Sequence, residues 1–556
     1  MANPIEFKLF APNNKEAALI GSFSDWKEIP MQKSEDGYFR TQVELADGVY
    51  QYKFRVQSKS PSFELDQWVD VIDPYAMDID AAQNSVVRIK NGEKFVDTYI
   101  WQHDDKPLPA NQELVIYELH VADFSGGEDD PHVRGKFKDV IDKLDYLREL
   151  GINALELMPV NEYPGDYSWG YKVRHFFAVE SSYGSTEDLK RLIDECHARG
   201  IRVIIDGIYN HTDEECPLLL IDRDYWYYHD KHYPEDPANY WGPEFNYENY
   251  DEKLGIKPAW EYVGDIVRFW IQNYHIDGIR FDAVRQLANY DFLYWITNEA
   301  KKTAGNKPFY NIAEHIPDTA SVVTPQGPMD SCWHESFRFF AIQEICGDAF
   351  DLEKLKEALD AKRQGYTGTT SVVNYLASHD RDHLMAELAS RQIISPASFK
   401  RAKLGAVLLM TAIGVPMLWM GEEFGEYTRQ TPNQKNKLEW PLLKQDLNRD
   451  LLEYYKGLIG LRKQTPALHT ENIDFFHENP DSRVLAYVRW NDQGSRVVVV
   501  ANFSDKYLAG YRVPQFPVNG TWYVFPDNHE VEAVEDALTI ELAEYEAKVL
   551  VFQERR

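Results

Sequence analysis

The chain has 556 residues, with 59 Lys and Arg against 90 Asp and Glu and a formal net charge of −31. That length is too great for a single core and predicts two to four domains. That charge excludes nucleic acid or an anionic membrane as the main partner, since both require a basic face. A neutral substrate is indifferent to it. Aromatic residues reach 14%, which fits larger cores or stacking against flat ligands, sugars among them. The four cysteines (Cys196, Cys216, Cys332 and Cys346) show no metal-ligand spacing and fit free thiols in a reducing compartment. The opening "MANPIEFKLFAPNN" lacks a basic segment followed by an apolar one, so no signal peptide is expected and the expected address is the cytoplasm.

From Glu6 to about Lys94 short strands alternate with turns: "FKLFAP", "AALIGSF", "GYFRTQVEL", "GVYQYKFRV" and "NSVVRI". Their regular spacing predicts a small antiparallel β-sandwich over residues 1–105. From Leu114 helix ends run straight into apolar strands, as in "CHARG" before "IRVIIDGIYNH". The helix "STEDLKRLIDECHARG" shows the grammar. Ser185 and Asp188 form a capping box, Leu189, Leu192, Ile193 and Cys196 share a face, and Gly200 ends it. Such alternation means a parallel sheet. Eight strands are counted: "LVIYELH", "INALELMP", "RVIIDGI", "DGIRFDA", "FYNIAEH", "MDSCWHE", "VVNYLAS" and "GVPMLWM". They fit a (β/α)8 barrel over 106–470, and the first strand is followed by no Gly-rich phosphate loop. The long segment after the third strand, about 212–255, is rich in Tyr, Trp, Asp and Pro and reads as an excursion over one end of the barrel. "LGAVLLMTAIGVPMLWM" is broken by Gly414 and Pro416, so it reads as a helix turning into a buried strand, not as a membrane span. Strand signals return in "VLAYVRW", "SRVVVVANFS", "GTWYVF" and "KVLVFQE", which predict an antiparallel β domain over 471–556.

Polar groups at the C-terminal ends of barrel strands build active sites. Here those ends carry Asp206, Asn210 and His211 after the third strand, Arg280 and Asp282 on the fourth, Glu314 on the fifth, and His379 and Asp380 after the seventh. Any one of these alone reads as a helix cap, a structural ion pair or a satisfied core group. Gathered together they cost several kcal/mol unless function repays it. Paired carboxylates without a metal or phosphate cradle suit glycoside hydrolysis. Asp282, held ionised by Arg280, suits attack on the anomeric carbon. Glu314, preceded by apolar Ile312 and Ala313, suits a drier acid with a raised pKa.

"DGIYNH", "GIRFDAV", "IAEH" and "SHD" resemble, in order and spacing, four signature regions of the α-amylase family, glycoside hydrolase family 13. The resemblance implies Asp282 as nucleophile, Glu314 as general acid/base and Asp380 as transition-state stabiliser. It implies substrate-binding roles for Asp206, His211, Arg280 and His379, and "SWGYKVRHFFAVESSYG" maps the stacking tyrosine to Tyr171. The N-terminal segment resembles carbohydrate-binding module family 48, with Trp26 either a glucan platform or a core residue. Asn210 matches a calcium ligand of some family members, so the expectation is no required cofactor, with Asn210 the metal ligand if calcium is bound. "Arg285-Gln286" replaces a common "Lys-His", and "SHD" replaces the commoner "NHD".

The resemblance points to an α-amylase-type retaining hydrolase of α-1,4-glucan, acting as a monomer or weak oligomer. Its alternatives are a branching enzyme or other transglycosylase, and a trehalohydrolase-like or α-1,6 debranching enzyme. A reading from another class is a non-catalytic glycan-binding protein on the same barrel, which the retained Asp282, Glu314 and Asp380 oppose.

Overall fold

The computed structural model describes residues 2–95, 97–127, 133–232, 237–429 and 437–552. Its centre is a closed barrel of eight parallel strands: β1 (Ile116–Leu119), β2 (Ala154–Leu157), β3 (Arg202–Gly207), β4 (Gly278–Phe281), β5 (Tyr310–Ala313), β6 (Ser331–Trp333), β7 (Val372–Tyr375) and β8 (Val415–Trp419). Each of the eight falls within a strand predicted from sequence. β8 closes on β1 with Ile116 beside Met417. Alternation sorts the side chains as a pleated strand requires. Ile116, Ile204, Ile312, Trp333, Val373 and Met417 pack together inside the barrel. Ile279 and Phe281 of β4 join the larger cluster outside it, which turns Arg280 inward.

The helices obey the capping logic. Helix α1 (Thr186–Ala198) starts at Ser185, whose hydroxyl accepts the Asp188 N–H in a capping box, and Gly200 follows its end at φ +69°. His197 at its last turn meets Asp277 at 2.8 Å, and Asp277 also accepts the Val203 N–H. The base of β4 is thereby tied to α1 and β3. Helix α2 (Ala397–Thr411) turns into β8 through Gly414 at φ +133°, where a Cβ would stand 2.5 Å from the Asn374 side chain. Among the described residues no helix is long and apolar enough to cross a membrane.

The outer domains are antiparallel, as their patterning predicts. At the N-terminus one sheet pairs Asn3–Phe10 with Tyr38–Leu45, and another is centred on Gly48–Gln57. Trp68–Val71 adds a strand that sequence reading passed over. The sandwich docks on the excursion as well as the barrel. Asn14 donates to the Ile221 carbonyl, Ser58 to the Leu220 carbonyl and Asn13 to Asp222, while Phe10 packs near Tyr225 and Trp226. The C-terminal domain centres on Val484–Trp490, Arg496–Asn502 and Glu546–Phe552. Its buried Arg489 donates to carbonyls of Thr411 and Thr470, and Arg462 donates to those of Met410 and Gly414. Two cations thus cover the C-terminal end of α2, where orphan carbonyls carry partial negative charge.

Candidate active site

The mouth of the barrel is built where β3, β4, β5 and β7 end. Asp206 and Arg280 are register neighbours on β3 and β4, so two inward side chains meet by construction. One Nη of Arg280 donates to both oxygens of Asp206 at 2.7 Å and to Asp282 at 3.0 Å. The other Nη lies 3.1 Å from Glu314. The guanidinium carbon stands 4.4 Å from the centre of the Trp333 ring, which covers it from inside the barrel. Asp282 lies just past the end of β4, and its N–H donates to the Gly207 carbonyl. Ala283 then adopts φ +50°, an uncommon conformation for a residue with a side chain. That turn aims the Ala283 N–H at Glu314 at 2.8 Å and the Val284 N–H at the Glu314 carbonyl.

Two expectations about these carboxylates change. Burial pushes the Asp282 carboxyl well above the usual range; Arg280 pulls it down, while Glu314, Asp206 and Asp380 push it up further. One guanidinium is shared among three carboxylates, so Asp282 does not have the private ion pair expected from its sequence neighbour. Glu314 is likewise not in the dry apolar setting expected from Ile312 and Ala313, because it meets the Ala283 N–H and Arg280.

Tyr171 joins the two sides of the mouth. Its hydroxyl donates to Asp206 at 2.6 Å, and its ring stacks on His379 at 5.0 Å and 22°. Its carbonyl lies 2.9 Å from His211 Nε2. His211 is buried, and burial lowers it to about 4. His379 is buried too, yet its pKa is raised well above the usual value: burial would lower it, but Asp380 and Glu118 outweigh that. Its Nε2 lies 3.2 Å from Asp380, whose side chain is 40% exposed. All eight residues named from the sequence for catalysis or substrate binding therefore share one contact network. At the rim Trp241 stands half exposed beside His211, with ring centres 5.7 Å apart. It is held there by Gly242, where a Cβ would lie 2.2 Å from the Thr212 carbonyl.

Asn210, the residue expected to ligate calcium if the ion is bound, lies beside His211 at the end of β3. Its side-chain amide is 3.3 Å from His211 Nδ1, and its carbonyl accepts the Phe245 N–H. Among the described residues no three His, Cys, Asp or Glu side chains are grouped to hold an ion. No step of the reaction is routed through an ion.

Sequence reasoning missed Glu118 of β1 and Glu156 of β2, register neighbours that are both buried. It also missed Trp169 and Trp333, which wall His379. The signal for the two glutamates was present: each is a lone carboxylate inside an apolar strand, like Arg280 in "GIRFDAV". Each holds the third place of a four-residue strand, as Arg280 does.

Comparison with known proteins decides the family. The model "Alpha amylase, catalytic domain" matches residues 116–262 and 243–450. The chain belongs to the α-amylase family. The flanks match "Carbohydrate-binding module 48 (Isoamylase N-terminal domain)" over 1–76 and "Alpha amylase, C-terminal all-beta domain" over 476–553. As a member of this family it is a glycoside-active enzyme. It is similar to a 1,4-α-glucan branching enzyme of Prochlorococcus marinus (strain NATL2A), 26% identical over 93% of this chain and 74% of that one. It is also similar to a malto-oligosyltrehalose trehalohydrolase of Saccharolobus solfataricus, 24% identical over 83% of this chain and 85% of that one. The crystal structure of pullulanase type I from Bacillus subtilis str. 168 complexed with maltose superposes with a TM-score of 0.83 at 21% identity. It covers 100% of this chain and 85% of its own, and at that identity the likeness shows the fold.

Proposed function

We propose that this α-amylase-family chain is a retaining hydrolase of α-1,4-glucan. The observation that carries the reading is one guanidinium touching both Asp282 and Glu314, which makes them neighbours across the mouth. Close carboxylates suit double displacement, whereas inversion needs room for a water between them. Asp282 attacks the anomeric carbon as Glu314 gives its proton to the departing glycosidic oxygen, leaving a glycosyl ester on Asp282. Glu314 then takes a proton from water, whose oxygen attacks the same carbon and frees Asp282. Asp380 stabilises the positive charge that develops on the sugar. Tyr171 and Trp241 offer aromatic faces for sugar rings. The reaction requires no metal. Four buried free thiols are compatible with the reducing cytoplasm expected from the sequence.

A second reading is transfer to a glucan hydroxyl with formation of an α-1,6 branch, favoured by the branching-enzyme relative. It shares every step up to the ester. The acceptor side is where the two diverge, and there exposed Arg285 donates to the Ile316 carbonyl at 3.2 Å. Product analysis on amylose, pullulan and amylopectin separates them. Falling chain length supports hydrolysis, and new α-1,6 linkages would replace it by branching. Asp282→Asn or Glu314→Gln should lower turnover by about 10³-fold or more while glucan binding persists. Near-normal turnover in either variant would overturn both readings.

A further inference from the structure

We infer that Glu118 is a positioning residue of this reaction: from inside the barrel it clasps His379 as an imidazolium whose far nitrogen fixes Asp380 toward the substrate. The inference rests on the glucan-cleaving reading above.

Glu118 sits on β1, 1% exposed and 261 residues from its partner in sequence. One of its oxygens lies 2.5 Å from His379 Nδ1, and the other accepts the His379 backbone N–H at 3.2 Å. This two-point clasp fixes both the ring and the loop that carries it. The opposite nitrogen, Nε2, faces Asp380 at 3.2 Å. A neutral imidazole has one N–H, so one of its nitrogens would turn a lone pair toward a carboxylate oxygen. With both carboxyls ionised, only the doubly protonated ring offers each of them an N–H, and then each contact is charge-assisted.

The remaining neighbours do not supply an alternative. Tyr171 stacks on the ring with its hydroxyl 3.4 Å from Nδ1, and Trp169, Trp333 and Trp419 close the other sides. Arg280 and Asp206 are the nearby charges toward β3 and β4, and they are committed to each other. Glu156 lies beside Glu118 in register, both its oxygens unpartnered. Burial, with the charge of Glu118, pushes its carboxyl far up, which favours its neutral form. His211 serves as the internal control. It is equally buried, it faces a carbonyl and an amide instead of carboxylates, and it is held neutral down to about pH 4. Glu118 and Asp380 make the difference between the two rings. With the acceptor on Nδ1 uncharged, His379 would hold its second proton less tightly, and Asp380 would lose a fixed partner.

The test compares the full chain with Glu118→Gln, whose amide oxygen can still accept from Nδ1 but carries no charge, and with Glu118→Asp. The amide should move the alkaline limb of kcat on amylose down by about two pH units. Its loss should exceed about tenfold near pH 8 and stay below about threefold near pH 5, with KM within about twofold of wild type. Glu118→Asp should restore part of the limb. An unmoved limb, or an equal loss at every pH, would overturn the inference. Nitrogen-15 NMR of the wild-type histidines, with the His379 signal identified by its loss in His379→Asn, tests the clasp without the variant. Both ring nitrogens should stay protonated to about pH 8, and a neutral ring at pH 7 would overturn it even if Glu118→Gln fails to fold. If wild type cleaves no α-glucan, the function reading fails by itself, and the nitrogen spectrum still decides the state of the clasp.

Discussion

His211 and His379 stand on opposite sides of one mouth, equally buried, and differ in charge: burial favours the neutral ring of His211, and its two carboxylate neighbours favour the cationic ring of His379. On the β3 side, His211 meets a backbone carbonyl and an amide, and burial alone sets its state. On the β7 side, His379 lies between Glu118 and Asp380, and their charges reverse the effect of burial. Burial depth therefore does not decide protonation; the partners do. Between the two sides Arg280 supplies a cation that does not titrate. The mouth pairs a permanent charge shared among three carboxylates with a proton-dependent charge shared between two.

The contrast can be broken at its centre first. Arg280→Met should leave Asp206, Asp282 and Glu314 facing one another without a cation, costing about 3–5 kcal/mol of stability. Chemical denaturation of wild type and variant measures it, and glucan turnover should be lost as well. Next come the two rings themselves. His379→Asn strands Glu118 and Asp380 and should lower kcat by about 10²-fold, against about tenfold or less for His211→Asn. Equal losses would mean that the two sides do not differ in charge.

Stability against pH sharpens the same contrast with a smaller effect. The folded-state pKa of His379 is raised, so its contribution is fully present below about 6.5 and is lost as pH rises through the folded value. That of His211 is lowered to about 4, so the native state loses stability as pH falls from about 6.5 to about 4, by at most about 3 kcal/mol. Thermal midpoints should show His211→Gln flattening the acid side of the profile and leaving the alkaline side unchanged. The smallest expected effect is that of a chelator, which should leave the thermal midpoint where it was. A clear drop would assign Asn210 to a metal site after all.

Much of this was legible in the chain because the local signals agree with the global fold. Apolar runs bounded by helix ends marked all eight barrel strands, and Ser185 and Gly200 marked the ends of α1. The charged side chains at strand ends marked the site, since a barrel gathers those ends at one mouth. What sequence could not supply is how many neighbours share one charge. Asp282 next to Arg280 reads as a private ion pair, whereas the closed barrel brings Asp206 and Glu314 to the same guanidinium. In the same way "YELH" and "SHD" lie 261 residues apart, and only closure of β8 onto β1, with β7 beside it, sets Glu118 against His379. Residue type and spacing pointed to the fold, the family and the candidate reacting groups. Protonation is a property of all charges within a few ångströms in a dry interior, so it was decided by the tertiary structure.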